Sequence, residues 1–166
     1  MPEQPTAKSR FLSAYQREHA TTSKVLRALP DHQSNFRPHE RSSDAHALAW
    51  TFVVEEQRIL LALQNKTVLG SPRPKAPEKW ETILHDFDHT YGAVMHELQD
   101  AGNPSLAGTI EFFVAPKQTG HIPLDEFLWF MLYDQIHHRG QLSVYVRMTG
   151  GKVPSIYGPS ADEPWL

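Results

Sequence analysis

An aspartate and a histidine four residues apart, Asp134 and His138, form the pattern in this sequence best suited to chemistry. Side chains at this spacing lie on the same face of a helix, so the two could bind one metal ion together. Steps of four and three place them on the inward face of their helix, in the series 127, 131, 134, 138, 141 and 145. A buried charge is costly unless it is paired or bound to a metal. The pattern therefore predicts either a metal site or a hydrogen-bonded Asp–His pair inside a helical core.

Two residues of an earlier predicted helix, His46 and Glu55, are candidates for a third ligand. His46 lies on an apolar face, where it could reach inward as a ligand or remain a histidine at the edge of the core. Glu55 lies on a polar strip with Thr51 and Arg58, which favours a solvated side chain over a ligand. His137 points about 100° away from Asp134 and His138, so we expect it to be a packing neighbour of the site.

The best-spaced histidines of the chain, His85, His89 and His96, lie together on the third predicted helix. They are placed opposite the apolar stripe of that helix, which starts at Trp80 and ends at Leu98, and they therefore face solvent. Exposed histidines can bind adventitious metal without any function. We expect no functional site at this cluster.

The composition limits the chemistry further. The 166 residues include ten histidines and no cysteine, which excludes disulfide scaffolds, zinc ribbons, iron–sulfur clusters and thiol nucleophiles. Any metal site must use His, Asp and Glu, which suit a divalent ion such as Ni, Zn or Mn. The net charge of −3 argues against nucleic acids and acidic membranes as partners. No segment resembles a signal peptide or an apolar span of about 20 residues, so we expect a cytoplasmic location.

Prolines divide the chain and predict its elements. Four long stretches contain none: 6–29, 39–71, 78–103 and 124–153. Proline interrupts helices, so each stretch predicts one helix, and Ser42, Ser43 and Asp44 are plausible N-cap residues for the second. We predict a single domain over residues 1–166, an all-α, up-and-down four-helix bundle. The connections 66–76 and 103–123 are long, with a β-prone strand or lid at 109–114, and a non-helical C-terminal tail packs back over the bundle.

The second and fourth predicted helices are apolar around most of their circumference, unlike the third helix with its single stripe. A helix of this kind is buried on more than one side. In a four-helix domain of this size, a second copy of the chain is a natural partner for the extra apolar face. We therefore expect a homodimer.

The run HHRGQ at 137–141, its continuation to 147 and the segment VPSIY at 153–157 together resemble the DinB-like (YfiT-like) family. The resemblance extends from about residue 8 to 160 and includes the segments 26–30 and 42–50. Members of this family are bacterial four-helix bundles described as metal-dependent enzymes. The wider superfamily includes thiol-cofactor-dependent transferases and a maleylpyruvate isomerase.

The resemblance implies a metal site of three histidines, one from the second helix and two from the fourth, spaced HxxxH before RGQ. In this sequence the last of them corresponds to His138, whereas Asp134 and Thr51 stand at the other two positions. Asp134 is itself a good metal ligand, and His46 or Glu55 could replace the histidine missing at Thr51. The resemblance also suggests that Arg139 and Gln141 orient the ligands.

We therefore expect a divalent-metal-dependent enzyme, of hydrolase or thiol-cofactor-dependent transferase type, that acts on a small molecule. Its metal would be held by His138 and Asp134, with His46 or Glu55 completing the set. The alternative is a metal-free module that binds a small molecule or acts in a stress response, and that keeps the Asp134–His138 pair after losing the family's metal site.

Overall fold

A computed structural model describes residues 4–99 and 106–166 of the chain. It contains four long helices and one two-stranded antiparallel sheet. The helices are α1 (Ala7–Ala28), α2 (Ala45–Leu63), α3 (Trp80–Gln99) and α4 (Leu124–Met148), and the strands are β1 (Thr109–Ala115) and β2 (Gln118–Pro123). The four predicted helices are confirmed, whereas the all-α class is incomplete because it omits the sheet.

The first turn of α2 is held by one of its predicted N-cap residues. The Oδ1 atom of Asp44 accepts a hydrogen bond from the backbone N–H of Ala47, at 2.8 Å, and a second oxygen accepts from Arg37 at 3.0 Å. A cap of this kind satisfies a backbone donor that the helix itself leaves free. It fixes where α2 starts, and hence which of its side chains face the neighbouring helices.

Two clusters of buried apolar residues show the direction of each helix. The first cluster contains residues from the beginnings of α1 and α4, such as Phe11 and Phe127, and from the end of α3, such as Leu98. The second cluster contains residues from the end of α1, such as Leu26, and from the beginnings of α2 and α3. Helices α1 and α4 therefore run in one direction and α2 and α3 in the other, so the predicted up-and-down alternation is wrong.

The connection between α2 and α3 explains this departure. Two parallel helices need a connection that returns along the full length of the first, and residues 64–79, if extended, reach about 50 Å. Helix α2 needs only about 28 Å of that reach, because its 19 residues rise about 1.5 Å each. The connection follows α2, since Trp50 Nε1 donates to the carbonyl oxygen of Pro74 at 2.8 Å. The length and proline content of this segment were the signals for such a crossover.

The helices meet in a fixed order around the core. Both α1 and α2 pack against α3 and α4, so the ring runs α1, α4, α2, α3. Helices α1 and α2 therefore lie diagonally across the core, as do α3 and α4, whereas α2 and α3 are neighbours. This order makes α2 and α4 direct neighbours, which brings the candidate ligands of the two helices to one interface.

The connection before α4 contains the sheet. Strand β1 pairs with β2 in antiparallel register, with Ile110 opposite Ile122 and Phe112 opposite Gly120. The predicted strand at 109–114 is confirmed, and the first residues of the predicted connection, 103–105, lie outside the described residues. Phe112 packs against Phe127 of α4, with ring centroids 5.0 Å apart. The hairpin thus covers the beginning of α4.

The C-terminal tail is non-helical and packs back on the helices, as predicted. Val153 and Ile156 contact the second apolar cluster, and Tyr157 reaches Glu18 and Arg139. The tail turns back towards α1 at Gly151. The backbone passes so close to α1 here that a Cβ atom would lie 2.5 Å from the carbonyl oxygen of Ala28, so the position requires glycine. Among the described residues, no helix is long and apolar enough to cross a membrane.

Candidate metal centre

Three side chains from α2 and α4 converge where these helices meet. One potential ligand atom from each of Glu55, Asp134 and His138 lies within 4.8 Å of the other two. The Nε2 atom of His138 is 3.8 Å from Glu55 Oε1, and its Nδ1 atom is 3.6 Å from Asp134 Oδ1. Each ring nitrogen of the histidine therefore faces a carboxylate. These distances are too long for good hydrogen bonds. One ion would bind only one of the two ring nitrogens, and with that nitrogen the three ligand atoms still lie within 4.8 Å of one another.

The buried oxygen and nitrogen atoms that could bind a metal in this group receive no hydrogen bonds. Glu55 is only 1% exposed, and within the described ranges neither of its carboxyl oxygens finds a donor. The Nδ1 atom of His138 is equally buried and equally without a partner. Buried polar groups are nearly always satisfied in folded proteins, and unsatisfied oxygen and nitrogen atoms that lie this close together suit a shared cation.

Burial also changes the protonation of the group. Burial, together with the charge of the Asp134 carboxylate and a hydrogen bond that protonated Glu55 donates to it, raises the pKa of Glu55 to about 10. Burial likewise lowers the pKa of His138, an effect that Asp134 partly offsets. At neutral pH and without a metal, Glu55 is therefore a neutral acid and His138 a neutral imidazole, so a cation would have to displace the Glu55 proton.

The structure brings together three of the four predicted ligands and leaves out the fourth. Glu55 is buried between α2 and α4, so the expectation of a solvated side chain is wrong for Glu55. Thr51 and Arg58, on the same polar strip, lie towards the connection between α2 and α3, a difference that sequence periodicity on a single helix does not show. His46 lies in the first turn of α2, outside the three-residue group, although its Nε2 atom is also buried without a partner among the described residues.

The residue at the family's histidine position in α2, Thr51, is engaged elsewhere. It donates to the carbonyl oxygen of Ala47 and accepts a hydrogen bond from Arg73, both at 3.0 Å. On α4, His137 and Gln141 are exposed and contact each other, at 2.9 Å between their Nε2 atoms. Gln141 is therefore not on the inward face, contrary to prediction.

The three histidines of α3 are exposed, as predicted from their position opposite the apolar stripe: His85, His89 and His96. The rings of His85 and His89 stack, with centroids 5.9 Å apart. Within the described residues they do not belong to any group of ligand atoms close enough to hold a metal.

A network of buried polar side chains, which sequence reasoning missed, lies beside this group. Arg139 is 1% exposed and binds Glu18 of α1 at 2.8 Å and the Tyr157 hydroxyl at 2.6 Å, rather than the candidate ligands. Its predicted role of orienting the ligands is therefore not supported by its contacts. Hydrogen bonds from Tyr157 and Arg139 lower the pKa of Glu18, outweighing the opposing effect of burial.

A second buried group crosses the core diagonally. Glu56 accepts hydrogen bonds from the Tyr15 hydroxyl of α1 and from Gln135 Nε2 of α4, the latter at 3.4 Å. Burial raises the pKa of Glu56 to about 8, although both hydrogen bonds act in the opposite direction. The sequence contained a signal for this group, because two successive acidic residues lie about 100° apart on a helix that is apolar around most of its circumference, and one of them is then expected to face the core.

His19 of α1 is another buried polar residue that the sequence analysis did not consider. Its ring stacks on Tyr91 of α3, with centroids 3.6 Å apart, and its Nε2 atom lies 3.4 Å from Asp88. Burial lowers the pKa of His19 to about 4, against the effect of the nearby Asp88 carboxylate. The neutral ring therefore belongs to the packing between α1 and α3, across the core from the candidate ligands.

Replacing Glu56 by glutamine is expected to stabilise the metal-free protein increasingly as the pH rises. The folded state holds the Glu56 proton up to about pH 8, whereas the unfolded state loses it near the ordinary value of 4.5. Between these values the unfolded wild type binds fewer protons, so its stability falls with pH. A glutamine does not titrate. We expect the variant to gain roughly 2–5 kcal/mol relative to wild type between pH 5 and pH 8.

Urea unfolding of both proteins at each pH measures this difference. Glu81→Gln on α3 is the matched control, because it makes the same chemical change at an exposed glutamate. A stability difference for Glu56→Gln that stays constant from pH 5 to pH 8 would show that this carboxyl is ionised in the folded core.

These contacts define a class of protein: four helices that carry a histidine and two carboxylates, suited to a divalent cation, at the contact between α2 and α4. Comparison with known proteins agrees with this class. The DinB family model matches residues 1–165, and the chain belongs to the DinB family. The resemblance seen in the HHRGQ run is thereby confirmed.

Individual relatives support the fold. The chain is 25% identical over 158 residues to the uncharacterized protein YrdA of Bacillus subtilis, covering 92% of this chain and 89% of YrdA. A DinB-like protein from Bacillus cereus has a crystal structure with a TM-score of 0.74 at 26% identity, covering 89% of this chain and 95% of that one. The DinB-like protein YjoA of Bacillus subtilis shares the fold, with a TM-score of 0.70 at 15% identity over 89% of this chain and 97% of YjoA.

Proposed function

We propose that this protein is a divalent-metal-dependent enzyme, of hydrolase or thiol-cofactor-dependent transferase type, whose ion is held by Glu55, Asp134 and His138. The observation that carries the proposal is the buried Glu55 carboxyl, which accepts no hydrogen bond from a donor among the described residues and faces the other two side chains. Membership of the DinB family supports it.

The donor set fits a divalent ion of the Ni, Zn or Mn type. Two carboxylates and one imidazole are ligands that these ions accept, and two negative charges neutralise the charge of the ion. Three protein ligands leave coordination positions for another molecule, which is typical of catalytic rather than structural sites. A bound ion of this kind supplies a Lewis acid that can activate water or a thiol.

The side chains of the centre also provide access and proton chemistry. Asp134 is about one-third exposed and His138 about one-fifth, whereas Glu55 closes the inner side. A substrate therefore reaches the centre past Asp134. The chain contains no cysteine, so a transferase of this type must receive its thiol from a cofactor or substrate.

Metal affinity is expected to rise with pH. Metal binding requires ionised Glu55, whose pKa is about 10 because of burial and of Asp134. Below that value each unit of pH raises the ionised fraction tenfold, so binding tightens by up to tenfold per unit between pH 6 and pH 8. Calorimetry in buffers of different ionisation enthalpy should show proton release, while an affinity independent of pH would contradict the protonated state of Glu55.

The experiment that tests the proposal compares metal binding in two neighbouring histidine variants. Tag-free protein is stripped with chelator and titrated with Zn²⁺, Ni²⁺ and Mn²⁺. We expect His138→Ala to lose tight binding and His137→Ala, the exposed neighbour, to keep it. Equal affinities in the two variants would refute the site. Failure of wild type to bind any of the ions would favour the metal-free small-molecule-binding or stress-response module instead.

We also propose that the protein forms a homodimer through the outer face of α4. Four apolar side chains on this face are half or more exposed: Phe130, Tyr133, Val144 and Met148. Their spacing forms one stripe along the helix, and Gly140 within it leaves room for close approach. The stripe is self-complementary in an antiparallel arrangement, which sets Phe130 against Met148 of a second copy.

Sedimentation velocity over a range of concentrations tests the dimer. Val144→Arg should shift the protein to monomer, whereas Trp165→Arg, which changes an equally exposed apolar residue of the tail, should not. A wild-type monomer at high micromolar concentration would refute the interface. The cytoplasmic location belongs to the same proposal, and fractionation of cells that make the protein tests it.

A further inference from the structure

A cavity of about 290 Å³ lies between α2 and the crossover connection, beside the candidate metal centre. Its apolar lining includes Val54 and Leu61, and its polar lining includes Gln57 and Ser71. The cavity lies on the side of α2 that faces the crossover, and its lining includes Val54 and Arg58, which flank Glu55 in sequence. It is large enough for the body of a small organic molecule.

Two arginines, Arg58 and Arg73, line this cavity on the side of the metal centre. The guanidinium of Arg73 is held over α2 by its hydrogen bond to Thr51, one turn before Glu55. Arg58 follows Glu55 by three residues on the same helix, so the two side chains are neighbours. The positive charge of Arg58 acts on Glu55 and that of Arg73 on His138, in each case as a minor influence on the pKa after burial.

Once a cation is bound at the centre, the positive charges of the two arginines have no negative charge nearby to balance them. Glu55 and Asp134, both ionised, neutralise a divalent ion, so the loaded centre has no net charge. In the described part of the chain neither Arg58 nor Arg73 comes within ion-pair distance of a carboxylate. Their two positive charges therefore remain available at the mouth of the site, and guanidinium groups match carboxylate and phosphate geometry.

We propose that Arg58 and Arg73 form an anchoring subsite for an anionic small-molecule substrate, whose carboxylate or phosphate they bind while its reactive end reaches the metal centre. The apolar lining of the cavity takes the body of the molecule. The anchoring half of this inference concerns the arginines alone, whereas the link to a reactive end rests on the proposed function.

The anchoring half is tested on the full-length, metal-free protein by NMR titration with butyrate, inorganic phosphate and neutral butyramide. Arg58→Gln/Arg73→Gln removes the two cations, and Arg10→Gln/Arg41→Gln removes two charges elsewhere as the matched control. We expect butyrate or phosphate to bind wild type and control alike, and at least tenfold more weakly to the cavity variant. The preferred probe distinguishes a carboxylate from a phosphate substrate.

Equal anion affinity in all three proteins, or butyramide binding as well as butyrate, would overturn the subsite. Circular dichroism and the melting temperature establish that each variant is folded. The two substitutions lie at the surface of α2 and in the crossover, so a folded cavity variant is expected.

The link to the metal centre is tested with ω-mercaptocarboxylates of two to six carbons, added to protein with and without Zn²⁺. At least one length should bind tenfold more tightly to the zinc-loaded wild type, and this gain should disappear in the cavity variant. No gain at any length, in protein that binds zinc, would overturn the link. Arginine-dependent anion binding in protein that binds no metal would instead refute the proposed function and leave the subsite intact.

Discussion

Arg139→Ala is expected to lower the free energy of unfolding by about 3–5 kcal/mol, the larger of two stability effects at this buried network. Arg139 is 1% exposed, and its guanidinium joins α4 to α1 and to the C-terminal tail. It binds the Glu18 carboxylate at 2.8 Å, Thr22 Oγ1 at 3.3 Å and the Tyr157 hydroxyl at 2.6 Å. Its removal leaves the buried Glu18 carboxylate with only the exposed Arg17, at 3.3 Å, as a cation, and opens a cavity between two helices.

The size of this effect depends on leaving Glu18 behind. Replacing both partners with apolar residues of similar volume, as in Glu18→Leu/Arg139→Met, is expected to cost less than Arg139→Ala alone, because no unpaired charge remains. Tyr157→Phe removes the hydroxyl that donates to Glu18 at 2.7 Å and should cost about 1 kcal/mol. Urea unfolding measures all three variants.

The sign of the pH dependence gives an independent check. The pKa of Glu18 is lowered in the folded state, although burial alone would raise it, because Tyr157 and Arg139 donate hydrogen bonds to its carboxylate. This contribution is therefore present above the unfolded value of about 4.5 and is lost as the pH falls through the folded value. The cost of Arg139→Ala should shrink in acid. A cost of the same size at pH 7 and at the lowest pH where wild type stays folded would mean that packing, not the ion pair, explains it.

The elements of this fold were predictable because proline and capping act locally. Proline-free stretches gave four helices, and Asp44 marked the start of α2. The direction of the helices was not predictable in the same way, since it depends on the 64–79 connection running back along the length of α2. Only the first strand of the hairpin was predictable. Strand β1 is apolar and β-prone, whereas β2, with Gly120 and His121, has no comparable pattern.

The candidate site shows the same division. Asp134 and His138 were predictable because a spacing of four on one helix fixes their relation. Glu55 could be proposed but not chosen over His46, since the choice depends on which face of α2 meets α4. Arg139 was expected to support the ligands, yet one residue of helical rotation turns it towards Glu18 of α1. Sequence periodicity places a residue on its own helix, and only packing determines what it faces.

Glu55→Gln is expected to separate metal binding from stability. Without a metal, Glu55 is a neutral acid at pH 7, because burial and the Asp134 charge raise its pKa to about 10. A glutamine has nearly the same shape and no charge, so the variant should be as stable as wild type at pH 5. Wild type binds the Glu55 proton more tightly folded than unfolded, so its stability falls between pH 4.5 and 10, and the variant should gain over that range.

Metal affinity should change in the opposite direction. An amide is a poor ligand for these ions, and the variant keeps only two of the three donors. Changes in residues that merely support metal ligands cost about 10–100-fold, so loss of a direct ligand should cost at least 100-fold. Titration of chelator-stripped protein with Zn²⁺ or Ni²⁺, at fixed pH, measures this loss. His46→Ala should leave the affinity unchanged, because His46 lies outside the three-residue group.

Glu56→Gln is the decisive control for this prediction. Glu56 is the next residue of α2, is fully buried, and undergoes the same chemical change, but it faces Tyr15 and Gln135 rather than His138. Both substitutions remove one buried carboxyl from the same helix, so any general effect on folding or charge is shared. A large loss of metal affinity in Glu55→Gln alone would identify Glu55 as a ligand. Equal affinities in the two variants would mean that the carboxyl facing His138 does not bind the ion.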